Sequence, residues 1–158
     1  MPRPFEDSRD SALRQAYKLL SYRDRSEKEI IDRLLLKGFS RGIAEDAVAF
    51  LNNKGFINDR KTAESFRRYA VENKGLGRKG VVQYLVNRGI PEDIAEETAG
   101  EESDYLDTAK RIVEKRLVLV KDCDAGTVRR RLWGLLLRRG FTGETISILM
   151  KDIIPKEE

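Results

Sequence analysis

The chain has 158 residues, 40 % hydrophobic and 37 % charged, with a net charge of +4. That is enough apolar material for thin cores, and it suits helices with a narrow buried stripe and a wide solvated face. One cysteine, Cys123, and no histidine exclude structural disulfides, Cys/His zinc sites, His-based acid–base chemistry and Ser-His-Asp triads.

No apolar run approaches the length of a membrane span, and the opening MPRPFEDSRDS lacks the apolar core of a signal peptide, so a cytoplasmic protein without membrane contact is expected. No P-loop, dinucleotide-type glycine fingerprint or EF-hand spacing occurs. With these motifs missing, the expectation is a non-enzymatic protein that takes no cofactor and no metal and works by binding.

After an N-terminal arm over 1–9, DSALRQAYKLLSYR predicts a helix, with Ala12, Ala16, Leu19, Leu20 and Arg23 at helical spacing and Asp10 or Ser11 as cap. Ser26 and Glu29 make an S-x-x-E capping box for a second helix bearing Ile30, Ile31, Leu34 and Leu35. That helix stops at Gly38, because glycine adopts the left-handed conformation at a helix end without a Cβ penalty. Phe39 is placed to pack back on it, and Ser40 caps a third helix with Ala44, Ala47 and Val48. These three helices form a first repeat over 10–58.

The pattern returns 51 residues later. NDRKTAESFRRYAVENK places Ala63, Phe66, Ala70 and Val71 on one face, capped by Asn58 or Asp59. Val81, Val82, Leu85 and Val86 then lead to Gly89, Ile90 is placed to pack back on that helix, and Pro91 opens a helix with Ala95, Thr98 and Ala99, completing a repeat over 59–103. In the third repeat, 104–154, Leu132, Trp133, Leu136 and Leu137 precede Gly140, Phe141 and Thr142, and Ile146, Leu149 and Met150 follow. Its opening helix, with Leu106, Ala109, Ile112, Val113, Leu117 and Val120, lies about five residues out of register with the other two. Residues 155–158 are left as a tail. Twelve apolar residues at i, i+1, i+4, i+5 before three glycines describe one helix face three times over. The expected fold is all-α: three tandem three-helix, helix-turn-helix-like repeats, nine helices and no sheet, in an elongated, slightly curved array.

Charge is uneven. Residues 60–90 hold eight Lys/Arg against two acids, 91–103 hold six acids and no base, and 104–151 hold eleven bases against six acids. The column Lys37/Arg88/Arg139 has a local explanation, since cations favour the last turn of a helix. Arg129, Arg130 and Arg131 have none, because they are read as lying in the first turns of their helix, where cations are disfavoured, so an external anion is their better account. The residues expected to contact a partner or nucleic acid are Arg67, Arg68, Lys74, Arg78, Lys79, Arg129, Arg130, Arg131, Arg138 and Arg139. The acidic helix argues against a protein that simply coats DNA, and Glu96 and Glu97 are candidates for protein contact. Trp133 is read as core packing, and Cys123 as incidental.

The order and content of the motifs resemble the RecX regulatory-protein family over residues 10–153. The carriers are A-x-x-x-A-Y-K-L-L-x-x-R (Ala12 to Arg23), R-S-E-K-E-I (Arg25 to Ile30), L-L-x-K-G-F-S (Leu34 to Ser40), G-F-I-N-D-R-K-T-A (Gly55 to Ala63), G-L-G-R-K-G-V (Gly75 to Val81), N-R-G-I (Asn87 to Ile90) and L-x-R-R-G-F (Leu136 to Phe141). Asn58 stands where an acid is common, Thr62 where an aromatic is common, and Gly80 is unusual inside a helix. The resemblance implies a modulator of the RecA recombinase in DNA repair and the SOS response. Such a protein binds the RecA–single-stranded-DNA filament along its groove and limits its growth, ATPase, strand exchange and coprotease activities. A monomer with weak direct binding to DNA is expected. Two other functions fit the same residues: a stand-alone helix-turn-helix-like DNA-binding protein, and a helical-repeat scaffold for another protein.

Overall fold

The computed structural model describes residues 6–153, which hold nine α-helices, one short 3-10 helix and no strand. The helices are α1 (Arg9–Tyr22), α2 (Glu27–Leu36), α3 (Arg41–Asn53), α4 (Asp59–Glu72), α5 (Arg78–Asn87), α6 (Glu92–Ala99), α7 (Leu106–Leu119), α8 (Ala125–Arg138) and α9 (Gly143–Ile153), and the 3-10 turn Glu102–Tyr105 leads into α7. The expected tail, 155–158, and most of the expected arm lie outside the described residues, and α1 already opens at Arg9. Two compact units are formed. One holds the chain up to Phe66 together with Leu85–Thr98; the other holds Arg67–Tyr84 and the chain from Ala99 onward.

In the first unit α1, α2 and α3 pack on one another around Ala12, Ala16, Ile30, Leu34, Phe39, Ala44, Ala47, Val48, Leu51 and Ile57, all buried. The expected capping of α1 by Asp10 or Ser11 is corrected: Ser8 is the N-cap and its Oγ accepts from Ser11 N at 3.2 Å. Asn58 caps α4, accepting from Arg60 N at 3.1 Å. The capping box of α2 is half made. Ser26 Oγ accepts from Glu29 N at 3.1 Å, but the Glu29 carboxylate turns to Arg23, 2.6 Å away.

Every glycine at the end of α2, α5 and α8 has positive φ: 101° at Gly38, 89° at Gly89 and 90° at Gly140. Each turn makes the same two bonds. The glycine N–H reaches back three residues (Gly38 to Leu35, Gly89 to Val86, Gly140 to Leu137), and the following apolar N–H reaches back five (Phe39 to Leu34, Ile90 to Leu85, Phe141 to Leu136), at 2.9 to 3.1 Å. This is the Schellman closure, and it buries Phe39, Ile90 and Phe141 against the helices they follow. The columns Ile30/Val81/Leu132 and Leu34/Leu85/Leu136 are fully buried. Leu35/Val86/Leu137 is not: Val86 and Leu137 are exposed, because a residue next to the stripe centre sits about 100° around the helix from it.

The second unit contains α7, α8 and α9, and its core includes Tyr105, Ala109, Val113, Leu132, Leu136, Phe141, Ile146 and Leu149. Its α8 has 14 residues where α2 and α5 have 10, and the added turn is at its start. That extra turn accounts for the register shift of α7 read in the sequence. Within this unit the segment Gly75–Gly80 lies against the closing turn of α8. Gly77 N–H donates to Arg139 O at 2.8 Å and Lys79 N–H to Gly140 O at 3.2 Å. The unfilled donors at the start of α5 thereby meet unfilled acceptors at the end of α8. A Cβ on Gly80 would overlap Arg139 O, which explains a glycine in the first turn of a helix. In the first unit the equivalent joint uses a side chain, with the fully buried Ser26 donating its hydroxyl proton to Arg88 O at 2.6 Å.

Candidate nucleic-acid interface

Two open grooves in the second unit gather most of its exposed cations. The first, about 340 Å³, is walled by the end of α4 and the loop after it, by α7 and by α8. Its cations are Lys74, Arg111, Lys115, Arg116 and Arg139, against the single acid Glu72. The second, about 530 Å³, is lined by Arg116, Leu119, Val120, Arg130, Arg131, Gly134 and Arg138, with no acid among them. Arg116 and Leu119 belong to both. Arg111 and Lys115, four residues apart on α7, share one helix face. Val118 and Leu119 are 68 % and 72 % exposed, which the core does not require.

The expected contact residues are thus partly brought together. Arg130, Arg131 and Arg138 meet in one groove, and Lys74 and Arg139 in the other. Arg68 and Lys79 are exposed and line neither, and Arg129 is half-buried and lines neither. Arg67 and Arg78 are committed within the protein. Arg67 Nε donates to Tyr105 Oη at 3.3 Å with its guanidinium 5.4 Å from that ring, and Arg78 Nε donates to Gly100 O at 2.6 Å. Burial raises the Tyr105 hydroxyl pKa above its ordinary value, and the Arg67 bond opposes the shift. The neutral phenol stays a donor to Ala99 O at 2.6 Å. In the first unit Glu97 is paired with Arg60 at 2.7 Å and Glu96 is exposed.

The arginine run lies further along its helix than the sequence suggests, because α8 begins at Ala125. Asp124 is the N-cap of α8, its carboxylate accepting from Thr127 N at 3.0 Å and Thr127 Oγ1 at 2.7 Å. Arg129, Arg130 and Arg131 therefore fall in the second turn, not the first, and the dipole penalty has largely decayed there. What favours an external anion is the convergence of Arg130, Arg131, Arg138 and Arg116 on one concavity. Arg111, Lys115 and Arg116 were missed by sequence reasoning. Their signal is the spacing of Lys110-Arg111 and Lys115-Arg116 along α7, a helix read only through its apolar residues.

Fold and grooves together define a helical-repeat protein that presents cationic concavities. The family descriptions "RecX, first three-helix domain" and "RecX, second three-helix domain" match residues 12–51 and 58–98. A regulatory protein RecX of Amycolatopsis mediterranei (strain U-32) is 31 % identical over 141 residues, covering 87 % of this chain and 80 % of that protein. One of Legionella pneumophila (strain Corby) is 30 % identical over 145 residues, covering 91 % and 93 %. The crystal structure of RecX from Lactobacillus salivarius has the same fold, with a TM-score of 0.83 at 22 % identity over 92 % of this chain and 96 % of that one. The chain belongs to the RecX family. Its relatives bear the name of regulatory proteins, and no helix among the described residues is long and apolar enough to cross a membrane.

Proposed function

We propose that this protein is a non-catalytic regulator that binds the RecA filament on single-stranded DNA and restrains its growth, ATPase, strand exchange and coprotease activities. The observation that supports a filament contact is the acid-free groove of Arg116, Arg130, Arg131 and Arg138, a surface suited to phosphate or carboxylate. The acidic α6, with exposed Glu96, suits a basic protein surface instead, so a partner of mixed polarity fits better than DNA alone. The test is RecA ATPase on single-stranded DNA with this protein titrated in. Inhibition at stoichiometric ratios is expected, weakening as salt screens the contact. Steep, salt-sensitive binding to duplex DNA with no effect on RecA would replace this reading with a plain DNA-binding protein.

A further inference from the structure

We infer that the groove between the end of α4, α7 and α8 holds a nucleotide, with its phosphate on the Arg111, Lys115 and Arg139 side chains and its base against Ile112, Leu119 and Leu135. The inference deepens the proposed function by naming the ligand of one groove, and it rests on that reading only for the biological setting.

Three observations carry it. Five cations converge on one concavity, and none of them forms an ion pair with another described residue. Like charges so gathered repel one another, and a multiply charged anion relieves that cost. The groove is also shaped in advance. The Arg139 and Gly140 carbonyls are held by Gly77 and Lys79, so the guanidinium springs from a fixed turn. Gly75 leaves room for that side chain, since a Cβ there would come within 2.6 Å of Arg139 Nη1 and 3.2 Å of Ile112 Cδ1. The apolar wall is the third. Leu119 projects into water beside Ile112 and Leu135, which gives a base edge or face an apolar surface next to the phosphate site. At about 340 Å³ the concavity lies in the range of small-molecule sites. Glu72 is the single acid in the lining, so the charge of the groove is strongly cationic on balance.

Nucleoside phosphate chemistry has two sources, a single strand and a free nucleotide. The experiment measures binding of a fluorescein-labelled oligothymidylate and, separately, of a fluorescent ATP analogue to the full chain without RecA. The variants are the double Arg111→Glu/Lys115→Glu, the single Leu119→Ser, and a charge-matched control, Lys18→Glu/Lys61→Glu, each verified as folded by circular dichroism. The expected result is loss of about tenfold or more in affinity for the groove double, with a much smaller loss for the control. Leu119→Ser should weaken binding without changing its salt dependence. Binding of the oligomer alone assigns the groove to a strand, and binding of ATP alone to a free nucleotide. Failure of both probes to bind, or equal losses in groove double and control, overturns the inference. A groove double that still inhibits RecA while losing the nucleotide would leave the inference standing and separate it from the filament reading.

Discussion

Asp124 holds the first turn of α8 with two bonds to Thr127, and these bonds draw its carboxyl pKa below the ordinary 3.8. A depressed folded-state pKa means stabilisation present above the unfolded value and lost as pH falls through the folded one. Asp124→Ala should therefore lower the melting temperature at neutral pH, with the difference from wild type shrinking below about pH 4. Asp124→Asn should recover much of the loss, since asparagine is an equally good N-cap acceptor. Gly38 and Gly140 share a left-handed backbone but differ in surroundings. Nothing lies within 4 Å of a Cβ on Gly38, whereas one on Gly140 would overlap the Gly80 backbone. Gly38→Ala should cost about 1 kcal/mol from backbone strain alone. Gly140→Ala should cost about 3 kcal/mol or more, because steric overlap adds to it. Urea unfolding of the two variants checks the difference. The sequence revealed that both glycines end helices, but only the packed structure separates a free turn from a covered one.

At the level of helices, the close approach at Gly80 gives a second contrast. Gly80→Ala presses a methyl against the Arg139 carbonyl and should destabilise by about 2 kcal/mol. Gly42, inside α3 with open space around it, should gain about 0.5 kcal/mol on replacement by alanine through reduced unfolded-chain entropy. Opposite signs in thermal melts are the expected outcome. Helix existence was legible because Ile30, Leu34 and their repeats mark each stripe, and glycines mark each end. What was not legible has physical reasons. The 3-10 turn Glu102–Tyr105 depends on a reciprocal Glu101–Asp104 cap and has no apolar period of its own. The N-cap of α1 went to Ser8 rather than to Asp10 or Ser11, a choice that several eligible side chains between Asp7 and Ser11 leave open. The added turn of α8 begins with Ala125 and Gly126, which announce neither helix nor loop.

For the molecule as a whole, the modest net charge conceals two predominantly cationic grooves in the second unit and an acidic helix in the first. If the proposed function holds, Arg130→Glu/Arg131→Glu/Arg138→Glu should fold normally and lose about tenfold or more of its potency against RecA ATPase. Wild-type potency should fall with salt, and that slope should flatten in the variant. Glu96→Lys/Glu97→Lys should weaken filament binding if α6 meets protein, and strengthen it if the partner is DNA alone. Inhibition by the arginine variant equal to wild type at every salt concentration would reduce that groove to a solvated face. The α8 half of this site was legible as a run of arginines. The α7 half was not, because Arg111, Lys115 and Arg116 are scattered among the apolar residues that define their helix.

The bond from Gly77 N–H to Arg139 O also sets a clock. Gly77 and Lys79 stand where α4 gives way to α5, a place where amides ordinarily trade hydrogen with solvent quickly. Here each donates to the final turn of a helix some sixty residues along the chain. Their exchange in deuterated water requires that turn to let go, so both amides should be protected as firmly as those in the middle of α8. Protection at these two positions, lost together in Gly140→Ala, would time the opening of the joint directly. Fast exchange in the wild-type protein would mean that the joint is already open for much of the time.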